Sequence, residues 1–370
     1  MRSILISTIG TSLIGNISYS DNSDLKRLLE TKNAKGIAVE LCKVSPDERL
    51  CGAEINSINS IVEKGYLAKR SVLKLLTSDT ENGRFIAEVL YHYFENSKNK
   101  NRFEDVDYEM VEGLTDEDVK SFKNVGLKNL VRLICEAVRS YSSDPILINA
   151  TGGYKAQISF AGMIGQALEI PVCYMFERFA EVIELPPLPV SFDLSLWLDN
   201  AELFYDLDAG IKTDNMLDLP DKRYDSLVEH IQEGKKHLYA LSPTGLLFHE
   251  SFRYRFKQQA SELLPKPSTI PIEKKKIRYE DNNADKHKNL ENYLNKIKAV
   301  SYVDGIYTHY YNPDLTKPNR FRKSSKGVEN QLEGCFSNAG ALTKFDIITT
   351  AKKPQELQAC MVDLNERFAK

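Results

Sequence analysis

Apolar runs of strand length alternate with amphipathic helical stretches over the first half of this chain, and this alternation constrains the fold more than any other feature. The apolar runs lie at residues 2–8, 71–77, 145–149 and 170–177. Residues 83–97, between the second and third runs, repeat apolar side chains at helical spacing. Strands that alternate with helices predict an α/β fold with an open, mostly parallel sheet that helices cover on both faces.

Three of the predicted strands run directly into turns rich in glycine and hydroxyl side chains. These turns cover residues 8–12, 77–80 and 149–155. The carboxyl ends of neighbouring parallel strands meet at one edge of a sheet, where the ligands of open α/β sheets bind. We therefore expect the three turns to converge on one ligand site if their strands are neighbours.

The third turn has the composition of a phosphate site. Gly152 and Gly153 stand between a strand and a helix, so that backbone amides can approach an anion at the helix N-terminus. Lys155 adds a positive charge, and Tyr154 adds a ring for base stacking. A tight turn that only packs helix against strand is the alternative, but three polar strand ends favour a nucleotide-type ligand. The fingerprint G-x-G-x-x-G is absent from this turn and from the first, which disfavours NAD.

The bulk composition predicts a soluble, cytoplasmic protein. Of the 370 residues 42% are hydrophobic, and the formal net charge of -3 gives no overall basic bias toward nucleic acid. The sequence has no apolar run long enough for a membrane and no signal-peptide pattern. Because the six cysteines lack metal-ligand spacing, we predict that all are buried and reduced, and that the protein needs no metal and no cofactor. They are Cys42, Cys51, Cys135, Cys173, Cys335 and Cys360.

Five short motifs follow one another within the first 190 residues. They read IGTSL, GAEINSI, LLTSDTENG, INATGGYKA and YMFERFAEVIELPPLPV. Together they resemble the CARF domain, the CRISPR-associated Rossmann-fold sensor of type III systems. The resemblance implies a Rossmann-like domain that forms a homodimer and binds a cyclic oligoadenylate, most commonly cyclic tetra-adenylate, across the two-fold axis. It also implies an accessory effector in antiviral defence.

Carried over by position, the resemblance implies the contacts to the ligand. They are Gly10, Thr11, Ser12, Ser78, Asp79, Thr80, Asn149, Thr151, Gly152, Gly153, Tyr154 and Lys155. The same site could also degrade its ligand, with Thr11, Ser12 or Lys155 positioning the attacking 2′-hydroxyl.

The character of the chain changes near residue 190, and CARF proteins usually carry an effector at the C-terminus. We predict a sensor domain over residues 1–190, a helical connector over 191–236 and an effector domain over 237–370. The strands, helices and basic loop of the last segment predict an α+β domain.

Two nuclease types are alternatives for the effector. Arg223 and His230 have the spacing of a HEPN ribonuclease, but Tyr224 departs from that pattern, and an exposed pair on one face of an amphipathic helix explains it better. A metal-dependent nuclease of the restriction-enzyme type would need an E-x-K sequence on adjacent strand positions. The late strands offer Glu333 and Asp346 but no E-x-K.

The predicted order over residues 237–370 is strand, two helices, three strands and a closing helix, which resembles a RelE-type toxin fold. The resemblance implies a metal-independent ribonuclease that cuts messenger RNA on the ribosome, with the ribose 2′-hydroxyl attacking the adjacent phosphate. A ligand-responsive regulator with a winged-helix-like element at residues 220–265 is the non-enzymatic alternative.

A local positive patch lies in the right region for this chemistry. Between residues 310 and 328 five cations face only Asp314. Phosphate contacts and transition-state charge both call for such a patch, although a solvated basic loop is the alternative. The predicted catalytic residues are His309, Tyr310, Lys317, Arg320, Arg322 and Lys323.

Overall fold

The computed structural model divides into two compact units. The described residues are 1–176, 181–189, 194–213, 217–219, 222–234, 236–279 and 287–369. Unit 1 comprises Met1–Phe192, Pro220–Leu227 and Ser242–Ser251, and unit 2 comprises Asp193–Leu219, Val228–Leu241 and Phe252–Lys370. The domain boundaries predicted at residues 190 and 236 stay predictions.

Unit 1 contains a six-stranded sheet in the order β3-β2-β1-β4-β5-β6. The strands are β1 (Ile4–Thr8), β2 (Val72–Ser78), β3 (Asp105–Val111), β4 (Ile146–Asn149), β5 (Val172–Tyr174) and β6 (Ile183–Leu185). All neighbours are parallel except β6, which is antiparallel to β5 at the edge. Every residue of β1 and β4 is buried, as in central strands covered on both faces. The predicted α/β fold with a mostly parallel sheet is confirmed.

Eight helices accompany this sheet among the described residues. They are α1 (Ser12–Ser18), α2 (Ser23–Glu30), α3 (Ala34–Leu41), α4 (Gly52–Glu63), α5 (Glu81–Glu95), α6 (Val119–Ser121), α7 (Leu127–Tyr141) and α8 (Lys155–Leu168). Helix α5 begins directly after β2, where the Thr80 side chain accepts a hydrogen bond from Gly83 N at 3.0 Å. Helices α1, α5 and α8 therefore all begin close to the carboxyl ends of strands.

The strand order reverses beside β1. The chain passes from β1 to β2 on one side and later returns to β4 on the other. Ile4 of β1 pairs in register with both Val72 of β2 and Ile146 of β4. At such a reversal the loops leave the sheet in opposite directions, which opens a crevice at the carboxyl ends of the strands. The three polar turns therefore converge as predicted, because β2, β1 and β4 are adjacent.

Unit 2 begins with two short helices and a small antiparallel sheet in the order β7-β9-β8. These elements are α9 (Leu194–Leu198), α10 (Ala201–Ala209), β7 (Ile211–Thr213), β8 (Val228–Glu233) and β9 (Lys236–Leu241). Residues 191–236, predicted as a helical connector, thus also contain strands. Helix α11 (Pro243–Leu263) follows, with its residues from Phe252 onward in unit 2.

A five-stranded sheet in the order β10-β11-β14-β13-β12 forms the rest of unit 2. Its strands are β10 (Lys276–Tyr279), β11 (Val303–Asn312), β12 (Arg320–Lys323), β13 (Gln331–Asn338) and β14 (Ala341–Thr349), and its helices are α12 (Leu290–Lys298) and α13 (Pro354–Phe368). One face is aromatic, with the Phe321 ring 6.3 Å from that of Phe345 and 6.4 Å from that of Phe368. Because side chains alternate along a strand, Asp346 points to the opposite, polar face. The predicted α+β character is confirmed.

The second half of the chain differs from the expectations in three places. The strand predicted at residues 237–242 exists as β9 but pairs with β7 and β8, and β10 is the strand that runs parallel beside β11. The RelE-type order itself stays a prediction. Arg223 lies in a 3₁₀ turn and His230 in β8, so the helix expected for the HEPN-type pair does not form. The basic loop contains the additional strand β12.

All six cysteines are among the described residues and are free thiols. Cys42 and Cys335 are half-buried, so the prediction of complete burial is wrong for these two and confirmed for the other four. Burial raises the pKa of Cys51 and of Cys173 to about 12, which keeps both thiols protonated at neutral pH. In the described part of the chain, no helix is both long enough and apolar enough to cross a membrane.

Candidate functional site

A cleft of about 420 Å³ lies in unit 1 at the carboxyl ends of β1 and β2 and at the start of α8. The loops after β1, β2, β3 and β4 all contribute to its walls. The lining residues are Ile9, Gly10, Thr11, Ser78, Thr80, Glu81, Asn82, Asp116, Glu117, Gly153 and Tyr154.

The loops after β1 and β4 approach each other so closely that only glycine fits. A Cβ atom on Gly10 would lie 2.9 Å from Gly153 N, and one on Gly152 would lie 2.2 Å from Glu54 Oε1. Gly153 has a φ of +101°, which other residues rarely adopt. The Thr8 hydroxyl donates to Gly152 O at 2.6 Å and so joins β1 to the loop after β4. The glycine pair therefore serves a close backbone contact between two loops.

A buried carboxyl group supports this contact from beneath. Glu54 of α4 is 1% exposed, and its Oε1 accepts a hydrogen bond from Gly10 N at 2.8 Å. Burial raises the pKa of Glu54, because the charged form loses hydration that one backbone amide does not replace. This residue was not among the predicted site residues. It lies within the GAEINSI motif, which was the available signal.

Hydrogen bonds of Asn149 and Thr151 hold the loop after β4 in place. Asn149 is fully buried and donates to Ser7 Oγ at 3.0 Å and Ser57 Oγ at 2.8 Å. The Thr151 hydroxyl donates to Asn149 Oδ1 at 2.7 Å and accepts from Met175 N at 3.0 Å. These bonds connect the end of β4 with β1, α4 and the residue after β5. Direct ligand contacts from Asn149 and Thr151 stay predictions.

The turn after β2 is held in a similar way. Asp79 accepts a hydrogen bond from Gly113 N at 3.0 Å, which connects this turn to the loop after β3. The hydroxyls of Ser78 and Thr80 are 3.0 Å apart, and both residues line the cleft. Asp79 thus shapes the wall that Ser78 and Thr80 present.

One side of the cleft is acidic and aromatic. The Tyr154 ring lies edge-on to Phe122, with 5.3 Å between ring centroids. Burial, together with the negative charge of Asp116, raises the pKa of Tyr154, so its hydroxyl remains a hydrogen-bond donor. Glu81 and Glu117 also line this side and were not predicted. The wall therefore offers hydrogen-bond acceptors rather than cations.

Six of the twelve predicted ligand residues line the cleft, and these are Gly10, Thr11, Ser78, Thr80, Gly153 and Tyr154. Ser12 and Lys155 are exposed and form the first residues of α1 and α8. The other four do not line the cleft: Asn149 ends β4, and Asp79, Thr151 and Gly152 lie in the loops after β2 and β4.

In unit 2, three side chains of the polar sheet face converge. His309 Nε2 lies 3.5 Å from Asp346 Oδ1 and 3.8 Å from Glu333 Oε2, and one atom from each residue fits within 4.8 Å of the others. Glu333 and Asp346 are direct cross-strand partners on β13 and β14. A register shift between Thr308 and Tyr310 places His309 at an irregularity of β11. Such bulges re-aim a side chain, here toward two carboxylates.

Two cations of the basic patch at residues 310–328 each bind the carboxylate oxygen that points away from His309. Arg322 Nε donates to Glu333 Oε1 at 2.8 Å, and Lys326 Nζ donates to Asp346 Oδ2 at 2.6 Å. Both carboxylates are nearly buried, with side-chain exposures of 10% and 5%. The cluster therefore combines a histidine, two buried carboxylates and two partly exposed cations at the surface of one sheet.

The other predicted catalytic residues are not members of this cluster. Arg320 forms an ion pair with Asp206 of α10. Tyr310 is 38% exposed, and Lys317 and Lys323 are exposed. Their catalytic roles stay predictions.

Comparisons with known proteins give one sequence-family match and one match among solved structures. Residues 49–188 match the sequence family described as CRISPR-associated protein (Cas_APE2256), over somewhat more than a third of the chain. Among solved structures, the chain is similar to Can2 from Sulfobacillus thermosulfidooxidans, solved in complex with cyclic tetra-adenylate, with 13% identity and a TM-score of 0.26. That match covers 72% of this chain and 71% of the other. At this score the likeness carries no structural inference. No curated protein matches the chain.

Proposed function

We propose that this protein is a cyclic-oligoadenylate-responsive effector of type III CRISPR defence, in which unit 1 binds the messenger and unit 2 cleaves RNA. The carrying observation is the cleft at the strand-order reversal, because most of its lining falls within the segment that matches the CRISPR-associated family. This is where open α/β sheets bind their ligands. The resemblance of the five sequence motifs to CARF domains adds the ligand class.

The glycine loops of the cleft suit the phosphates of a cyclic oligoadenylate, and its acidic, aromatic side suits the adenine bases. Phosphates would lie against the glycine loops and the N-terminus of α8, where Lys155 is exposed and backbone amides point outward. Adenine carries an amino group that donates hydrogen bonds, and Asp116 and Glu117 can accept them. Tyr154 offers its ring for stacking. A homodimer would present two copies of this arrangement to one cyclic ligand.

The polar face of the five-stranded sheet is the proposed effector site. Arg322 and Lys326 can contact a phosphodiester and stabilise the negative charge that develops on it, and His309 lies next to the carboxylates that these two cations pair with. Strands β11, β13 and β14 and helix α13 correspond to the three strands and the closing helix of the RelE-type order, and β12 is additional to it. More specifically, we propose that unit 2 cleaves messenger RNA on the ribosome.

Isothermal titration with cyclic tri-, tetra- and hexa-adenylate tests the sensor. We expect one ring to bind per two chains. Lys155→Ala removes a charge at the start of α8 and should weaken binding tenfold or more, because a hydrogen bond to a charged group contributes about 1.5–3 kcal/mol. Lys35→Ala removes an equally exposed charge from α3 and should leave affinity unchanged. Failure of all three rings to bind would refute the proposed sensor.

A further inference from the structure

Three polar side-chain atoms, one each from His309, Glu333 and Asp346, converge in unit 2. Among the described residues, His309 Nε2 and Asp346 Oδ1 are buried and have no hydrogen-bond partner. The nearest polar atoms to His309 Nε2 in the cluster are Asp346 Oδ1 at 3.5 Å and Glu333 Oε2 at 3.8 Å, beyond ordinary hydrogen-bond lengths. Buried polar atoms of folded proteins are nearly always satisfied, so this group calls for a partner.

The pattern of pairing shows which atoms that partner would contact. Each carboxylate uses one oxygen for a cation, Glu333 Oε1 for Arg322 and Asp346 Oδ2 for Lys326. The remaining oxygens, Glu333 Oε2 and Asp346 Oδ1, are the ones nearest to His309. The two cations thus orient the carboxylates, much as outer hydrogen bonds orient metal ligands.

We propose that His309, Glu333 and Asp346 form a binding site for a divalent transition-metal ion. One imidazole and two carboxylates are a ligand set that suits Zn²⁺ and Mn²⁺. Zinc bonds of about 2.0–2.1 Å in tetrahedral geometry place ligand atoms roughly 3.4 Å apart, close to the separations present here. The ligands stand on three neighbouring strands of one sheet, a rigid support that needs only small side-chain movements to close on an ion.

Three protein ligands leave at least one coordination position open. The Arg322 and Lys326 side chains beside the site are 43% and 55% exposed, so the buried cluster lies next to the solvent-exposed surface of the sheet. A phosphate oxygen or a water molecule could take the open position. This catalytic use of the ion rests on the proposed RNA cleavage, whereas binding of the ion itself does not.

Titration of the metal-free full chain with Mn²⁺, followed by loss of the free-ion EPR signal, tests the site. We expect one Mn²⁺ per chain and competition by Zn²⁺. Asp346→Asn keeps the size of the side chain but weakens a ligand, and should lower affinity at least about tenfold. Glu333→Gln should act in the same direction. Circular dichroism confirms folding of both variants.

A competing histidine pair provides the matched control. His230 Nε2 and His237 Nδ1 lie 2.8 Å apart in the small sheet of unit 2 and could take up Zn²⁺ by themselves. His237→Ala should leave Mn²⁺ binding intact. Folded Asp346→Asn and Glu333→Gln variants that bind Mn²⁺ as the parent does would overturn the proposed site, as would a parent chain that binds none. Because the readout is binding, an inactive but metal-loaded protein would count against the proposed RNA cleavage alone.

Discussion

At the scale of single residues, Glu54 is an ionisable side chain that unit 1 buries almost completely. Its carboxyl group lies under the two glycine loops and accepts the Gly10 amide at 2.8 Å. Because burial raises its pKa, the native state holds a proton that the unfolded chain releases near the ordinary value of 4.5. Between that value and the raised pKa, the native state binds more protons, so stability falls as pH rises.

The Glu54→Gln variant tests this assignment. The amide has a similar shape, can still accept from Gly10, and does not ionise. We expect the melting temperature of the parent, relative to that of Glu54→Gln, to fall as pH rises above about 4.5. Thermal unfolding of both chains from pH 4.5 to pH 8 measures the difference. Parallel curves over the whole range would contradict a raised pKa at Glu54.

At the scale of elements, the two loops at the cleft are fixed by contact between backbones. Gly152 has no space for a side chain, since a Cβ atom would lie 2.2 Å from Glu54 Oε1 and 2.8 Å from Gly10 N. The cleft and the stability of unit 1 therefore depend on the same glycine loops. Lys155, the first residue of α8, comes only three residues after Gly152, so this contact also positions the start of the helix.

Gly152→Ala should destabilise the protein by about 1–3 kcal/mol, the usual cost of overpacking a close-packed site. Gly162→Ala is the matched control within α8. Among the described residues, nothing lies within 4 Å of its added Cβ, so it should be neutral or stabilise by up to about 1 kcal/mol. Denaturant unfolding measures both. Equal stabilities for the two variants would contradict the close contact.

Elements were predictable from the sequence where burial was complete. β1 and β4 are buried throughout and begin with runs of apolar residues, and the predicted strands matched them. β3 was missed because it is an edge strand whose sequence, DVDYEMV, is largely polar and partly exposed. β8 was read as a helix, since the two apolar residues of its sequence VEHIQE stand three positions apart, as on one face of a helix. Local propensity decides little for such edge strands, because their partners supply the hydrogen bonds.

The two candidate sites also differ in how far the sequence alone predicts them. The cleft residues stand directly after strands, where a parallel sheet places its ligands, so six of them were predictable. His309, Glu333 and Asp346 come from three strands. Their meeting depends on the register of β13 with β14 and on the bulge of β11. The sequence provided each residue separately, with no spacing rule to join them.

At the scale of the whole molecule, the proposed function couples two sites that lie in different units. A ligand can activate the effector only if it binds one state of the protein more tightly than another. An affinity ratio of about 100 between two states would contribute about 2.7 kcal/mol toward the active one. Cyclic oligoadenylate should therefore raise the rate of RNA cleavage, and saturating ligand should give a plateau.

Mapping RNA ends after incubation with and without cyclic tetra-adenylate tests this account most directly. Free RNA and translating ribosomes serve as the two substrates, and His309→Ala serves as the variant that should bind the messenger but not cleave. We predict new RNA ends with the parent chain only when the messenger is present, and a strong preference for ribosomes if the RelE-type form holds. Identical RNA ends with and without saturating, bound messenger would contradict the account.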